Sequence, residues 1–285
     1  MYKSHSCRGL GLVPPSISEW FAIAAKVGFE AIDLPLRDLL EQGLQPLKIR
    51  QMLIANRLAC GASPFPYDWR TSQKEFLATM AKLDHFLHFS QSIGVSRLYT
   101  RVEESVPVGQ SRDYALTWHR QRLDQIAEKI GKYNISLGLE AIGVASFRAG
   151  KEPLMASLES VRTNLADLFE RHDSLGLLVD AFHLHAAQEN LHQALGPMLQ
   201  TRIVGIHLAD LPVAVPLEQI IDNQRALPGT SSTVPVRKTL QELAQMGCDA
   251  PVMIETVQST QELKIAGFKE AMEIVFNSLR TVWPE

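Results

Sequence analysis

The chain has 285 residues, 46% of them hydrophobic and 21% charged, with a formal net charge of −3. That is room for one large α/β domain, and the composition is ordinary for a globular protein. Lys and Arg are scattered along the chain, so the basic footprint of a nucleic-acid binder is missing, and no apolar run approaches the ~20 residues that span a bilayer.

A weak strand signal covers Ser4–Gly11. Ser16 stands three residues before Glu19, the spacing of a capping box, and opens a helix. Its apolar positions Ile17, Trp20, Phe21, Ala24 and Val27 follow a 3.6 period until Gly28 stops it. Short apolar runs then predict strands at Ala31–Leu36, Leu58–Ser63 and Val95–Val102, with an amphipathic helix at Glu75–Ser92. Tyr114–Lys132 is a second long helix, with Leu116, Leu123, Ile126 and Ile130 in one stripe. Beyond it, strands at Ser136–Ile142, Leu175–Val179, Ile203–Leu208 and Pro251–Val257 alternate with helices at Pro153–Arg171, Val236–Met246 and Glu262–Arg280.

No Gly/Ser-rich linker divides the chain, so residues 1–285 form one domain. Alternating strands and helices with right-handed crossovers give a parallel sheet, and eight such units close into a (β/α)8 TIM barrel. A doubly wound open sheet is the alternative, but it calls for a Gly-rich phosphate turn after the first strand. Gly9-Leu10-Gly11 runs into Pro14 and Pro15 and lacks that form.

In a barrel, the C-terminal ends of the strands converge on one pocket. SLGLE ends at Glu140, GLLVD at Asp180, IVGIH at His207 and PVMIE at Glu255. Four late strands each deliver a metal-competent side chain at the same level. Three carboxylates and one imidazole suit one divalent metal ion, Mn²⁺, Mg²⁺, Co²⁺ or Zn²⁺. The stretch LVDAFHLHA adds His183 and His185 just beyond Asp180.

These strand ends, the Asp-x-x-His of Asp180 and His183, and the His-x-x-Asp of His207 and Asp210 resemble the xylose-isomerase-like barrel enzymes, and among them the inosose isomerases. The likeness rests on LVDAFHLHA, IVGIHLAD and Arg225-Ala-Leu-Pro-Gly229, and it is best from about Gly138 onward. It implies that Glu140, Asp180, His207 and Glu255 hold the metal. It also implies that Glu140 and Glu255 move protons, and that His183 and Arg225 contact substrate. The reaction implied is isomerisation or epimerisation of a keto-polyol or keto-sugar through an enediolate, whose charge a divalent cation spreads. The partner is then a small molecule, with no nucleic acid and no membrane, and there is room for a homo-oligomer. Two departures weaken the substrate assignment. Ser231 stands where the family often has a second glycine, and Ala145 and Ser146 stand where some epimerases carry a substrate-binding glutamate.

Other signals have duller explanations. Asp84, His85 and His88 lie close together on a helix, where the two histidines form a solvated or packed pair, and His119 and Arg120 lie mid-helix at the surface. His185 is structural or solvent-facing, while His5, Arg101 and Glu103 are candidates to reach the pocket. The loop Pro64-Phe65-Pro66-Tyr67-Asp68-Trp69 either walls the site or caps the barrel end. Cys7, Cys60 and Cys248 are far apart and form no CxxC pair, as expected of packing residues in a reducing cytoplasm. The N-terminus MYKSHSCRGLGLVPP has no signal-peptide pattern. Competing readings are a metal-dependent dehydratase on the same barrel, a non-catalytic sugar-binding barrel, and a DNA repair endonuclease. The last would need further ligands that the early strands do not supply.

Overall fold

The computed structural model describes residues 1–256 and 261–284. Their backbone forms one sheet of nine parallel segments: β1 (Tyr2–His5), β2 (Ala31–Ile32), β3 (Ala59–Cys60), β4 (Ser63–Pro64), β5 (Arg97–Arg101), β6 (Ser136–Glu140), β7 (Leu175–Asp180), β8 (Ile203–Leu208) and β9 (Pro251–Ile254). The order across the sheet is β3-β2-β1-β9-β8-β7-β6-β5-β4. Only Gly61 and Ala62 separate β3, which pairs with β2, from β4, which pairs with β5. The two are halves of one stave. The sheet therefore closes on itself as an eight-stave barrel, the TIM barrel expected from the sequence. Gly61 N donates to Ile32 O at 2.8 Å and Phe65 N to Tyr99 O at 2.7 Å, one on each side of this seam.

Strand alternation sorts the side chains into two layers. Leu137, Leu139, Leu177, Val179, Ile206 and Ile254 are buried in one core cluster with Phe86, Leu123 and Ile130 of the surrounding helices. The intervening residues turn into the barrel. On β5 these are Arg97, Tyr99 and Arg101. Arg97 closes the N-terminal end, donating to Ile203 O at 3.1 Å and Asp249 Oδ1 at 2.9 Å. On β6 they are Gly138 and Glu140. A Cβ at Gly138 would lie 2.9 Å from that of Val204, so glycine there leaves room for interior packing beneath the site.

The helices begin where local chemistry dictates. Ser16 accepts from Glu19 N at 3.1 Å, and Ser72 with Glu75 completes a full capping box for the helix Gln73–Ile93. Several boundaries differ from expectation. β1 lies earlier than Ser4–Gly11, because Ser6 caps a one-turn helix, Cys7–Leu10. β2 stops at Ile32, since Pro35 turns the chain into a helix at Leu36–Glu41. Leu34 and Leu36 are buried, but not in a strand. The expected helix Pro153–Arg171 is two, Leu158–Asn164 and Ala166–Arg171, broken at Leu165. The last helix is likewise two, Gln261–Ile265 and Phe268–Val282. Val257, the expected end of the last strand, lies outside the described residues.

His119 is a correction. It is buried, with its Nδ1 2.7 Å from Ala115 O, because it shares the inward stripe with Ala115 and Leu123. Arg120 is half-buried and donates to Asn164 O, while His85 and His88 are exposed. The three cysteines are free thiols. No described helix is long and apolar enough to cross a membrane.

A candidate metal centre at the barrel mouth

Glu140, Asp180 and His207 stand at the C-terminal ends of β6, β7 and β8, and Glu255 directly follows β9. One potential ligand atom from each lies within 4.8 Å of all the others. His207 Nδ1 is 3.6 Å from Glu140 Oε1 and 3.3 Å from Glu255 Oε2. Neither imidazole nitrogen makes a well-aligned hydrogen bond, although the ring is buried. Buried polar atoms are rarely left so. Three carboxylates crowded around an imidazole without a well-aligned partner fit a divalent cation, which would neutralise their mutual repulsion and take the nitrogen as a ligand.

The charges reflect the crowding. Burial disfavours a proton on His207, but the charges and hydrogen bonding of Glu255 and Glu140 outweigh it and raise the pKa to about 10. Burial likewise works against an ionised Asp180, yet the positive charges of Arg225 and His207 hold its pKa down at about 2. Glu255 is also lowered despite burial, by His207 and Arg225. The metal-free protein therefore carries an imidazolium that an incoming ion must deprotonate. Apparent Mn²⁺ affinity is expected to rise about tenfold per pH unit across the neutral range and to level off above about 10. Calorimetry in buffers of different ionisation enthalpy should report about one proton released per ion at pH ~7; affinity independent of pH would contradict the charged His207. For the metal-free fold the sign is opposite. The His207 pKa lies above the ordinary value of ~6.5, so its stabilisation is complete below that value and is lost as pH rises through about 10.

Asp180 does two jobs with two oxygens. It ends β7 and N-caps the helix Ala181–Ala186, with Oδ1 accepting from Phe182 N at 2.8 Å and His183 N at 3.4 Å. Its Oδ2 accepts from Arg225 Nη1 at 2.8 Å. A carboxylate oxygen has a second lone pair, so Oδ2 can still face an ion. Asp222 Oδ1 also holds the Arg225 guanidinium, at 2.7 Å from Nη2, and its central carbon lies 4.6 Å from the centre of the Phe182 ring. Nη2 is 3.0 Å from His183 Nε2. A guanidinium only donates, so Nε2 accepts and the ring proton sits on Nδ1. His183 thus lies on a helix, buried against Arg225, and His185 is half-buried on the same helix. Asp210, the acid of the His-x-x-Asp pair, anchors the loop beyond it. Its carboxylate accepts from the backbone amides of Ser231, Ser232 and Val234 at 2.9, 2.7 and 3.0 Å. Ser231, where the resemblance expects a glycine, places its Oγ 3.1 Å from Asp210 Oδ1 and 2.7 Å from Leu211 O, and its one proton serves one of these acceptors at a time.

A cavity of about 590 Å³ opens above the cluster. Of the four acidic and imidazole residues, only Glu140 and Glu255 line it, and neither His183 nor Arg225 is among its described lining residues. Pro64–Asp68 form one wall, while Trp69 is fully buried and donates from Nε1 to Thr100 Oγ1 at 3.0 Å. The loop both walls the site and covers the barrel end. Arg101 reaches the cavity. Glu103 instead lies 3.7 Å from Arg70. His5 is turned away, its Nδ1 accepting from Trp20 Nε1 at 2.9 Å, and burial drives its pKa to about 3.

Three residues here went unseen in the sequence. Tyr99 lines the cavity with its ring edge-on to His207, centroids 4.7 Å apart, and burial with the charges of Glu255, Asp33 and Glu140 keeps its phenol protonated. Its position between Arg97 and Arg101 in the inward alternation of β5 would have revealed it. Asp33 follows β2 and accepts from Ser4 Oγ at 2.5 Å. Burial raises its pKa to about 7, against that hydrogen bond. A Cβ at Gly61 would come within 1.7 Å of its carboxylate, so the seam glycine makes room for it. Arg8, on the one-turn helix after β1, is the third.

The chain is a (β/α)8 barrel with a carboxylate–imidazole cluster at the C-terminal ends of its strands. Residues 21–278 match the xylose isomerase-like TIM barrel model, and the chain belongs to that family. Among solved structures it is similar to a xylose isomerase domain protein from Alicyclobacillus acidocaldarius, with 19% identity, a TM-score of 0.83, and coverage of 99% of this chain and 98% of that one. It is similar to the IolI protein with a bound zinc atom, with 16% identity, a TM-score of 0.80, and coverage of 99% and 98%. It is also similar to 3-keto-D-glucoside 4-epimerase from E. coli, with 14% identity, a TM-score of 0.74, and coverage of 99% and 98%. No curated protein matches the chain.

Proposed function

We propose that the protein is a divalent-metal-dependent isomerase or epimerase of a keto-polyol or keto-sugar, inosose-like in class, and that Glu140 and Glu255 carry the proton. The division of labour within the cluster supports this most. The side chains of Asp180 and His207 are each 1% exposed, whereas those of Glu140 and Glu255 are 10% and 21% exposed and line the cavity. A divalent ion held by the four would supply the positive charge that makes an oxyanion beside a substrate carbonyl affordable. The two glutamates reach His207 from β6 and from the end of β9, with β7 and β8 between them in the sheet. One can take a proton from the carbon beside the carbonyl and the other can return one from a different direction. Arg225 keeps Asp180 ionised, and the Pro64–Tyr67 wall offers apolar surface to the carbon skeleton. The 3-keto-D-glucoside 4-epimerase activity of the E. coli protein and the zinc of IolI support the class and the metal. The free cysteines fit a cytoplasmic setting.

Tyr99 favours a second reading. A phenol in the cavity beside both glutamates can hydrogen-bond a departing hydroxyl, which dehydration requires. Incubation of the Mn²⁺-loaded protein with keto-polyols in D2O, followed by mass spectrometry, distinguishes the two. Deuterium beside the carbonyl without loss of mass supports isomerisation or epimerisation, and loss of water supports dehydration. No deuterium in any keto-polyol would overturn both.

A further inference from the structure

We infer that the substrate carries an anionic group, a carboxylate or a phosphate, and that Arg8 and Arg101 bind it. This rests on the reading of the cavity as a keto-polyol site. Four arginines line that cavity, and two are already engaged. Arg37 pairs with Glu41 at 2.8 Å and Arg70 with Asp68 at 2.9 Å. The side chains of Arg8 and Arg101 make no hydrogen bond or ion pair with any described residue, and both residues are exposed.

Both are fixed at the base. Arg101 ends β5 opposite Glu140, and Val102 N donates to Glu140 O at 3.0 Å. Arg8 sits on the one-turn helix, where Gly9 O accepts from Thr256 N at 2.9 Å beside Glu255. The two cations thus flank the two proton-moving glutamates on separate staves. An ion would offset the acids of the cluster. Among the remaining lining acids, Glu41 and Asp68 are paired, and Asp38 lies beside Arg37. Arg101 feels the charges of Asp68 and Glu103 without pairing with either, and a neutral polyol offers neither arginine a full counter-charge. A carboxylate or phosphate suits the planar guanidinium fork, which binds such oxygens in pairs.

The test uses three probes on one six-carbon skeleton: D-glucitol, D-gluconate and D-glucitol 6-phosphate. Their binding to the Mn²⁺-loaded protein is measured by calorimetry at low salt, for wild type, R8M, R101M and the double variant. At least one anion is expected to bind ten times more tightly than D-glucitol or better, and which of the two does so identifies the group. The advantage should fall below about twofold in the double variant, with D-glucitol affinity and metal content unchanged. Neither anion surpassing D-glucitol, or an advantage that survives in the double variant, would overturn the inference. Failure of deuterium exchange in D2O would instead overturn the reading of the reaction, which this titration does not measure.

Discussion

Asp180→Ala is expected to destabilise the fold by about 3–5 kcal/mol and to abolish metal binding. Two losses add. The helix Ala181–Ala186 loses its N-cap, worth about 1 kcal/mol. Arg225, with a side chain only 1% exposed, loses the carboxylate at 2.8 Å, while the carboxylates of Asp222 and, farther off, Glu255 remain beside it. Removing one partner of a buried pair is costly because the other charge stays buried. Asp180→Asn separates the terms, since its amide oxygen can still cap the helix while the charge opposite Arg225 is gone. Urea unfolding of both variants and elemental analysis of bound metal provide the check. Wild-type stability in Asp180→Ala would mean that the pair with Arg225 does not exist as described.

Glu255→Gln is expected to lower turnover about 10²–10⁴-fold, the usual worth of a positioned proton-transfer group. The amide matches the carboxylate in size but cannot take a proton. It also leaves His207 facing one carboxylate fewer, so turnover must be compared at saturating Mn²⁺ to separate weaker loading from lost chemistry. Glu140→Gln should behave alike. A variant that turns over at the wild-type rate with metal bound would sink the proton-transfer role of that glutamate.

The late strands were legible because β6, β7 and β8 are long apolar runs ending in a polar residue, so their ends, and with them three of the four cluster residues, could be located to within a residue or two. The early strands were not. β2 has two residues, and the apolar Leu34 and Leu36 that follow belong to a turn and a helix, which hid Asp33. The third stave is interrupted at Gly61, so no continuous strand pattern exists there to be read. The helix Ala181–Ala186 was missed because Asp180 was read only as a ligand, although an Asp before a short run of good helix formers is also a cap. His119 was legible in principle, four residues from both Ala115 and Leu123, but a histidine among charged neighbours suggested a surface.

The double engagement of Asp180 bears on how relatives of this protein can be compared. Its carboxylate serves the polypeptide chain whether or not any reaction takes place, since one oxygen starts a helix and the other balances a buried cation. A descendant that had abandoned catalysis would still be penalised for losing it. Retention of that aspartate therefore says little about whether a homologue is alive as an enzyme. Glu140 and Glu255 cap no helix and line the cavity, so they are held less tightly by the chain than Asp180, and their fate is the better historical record.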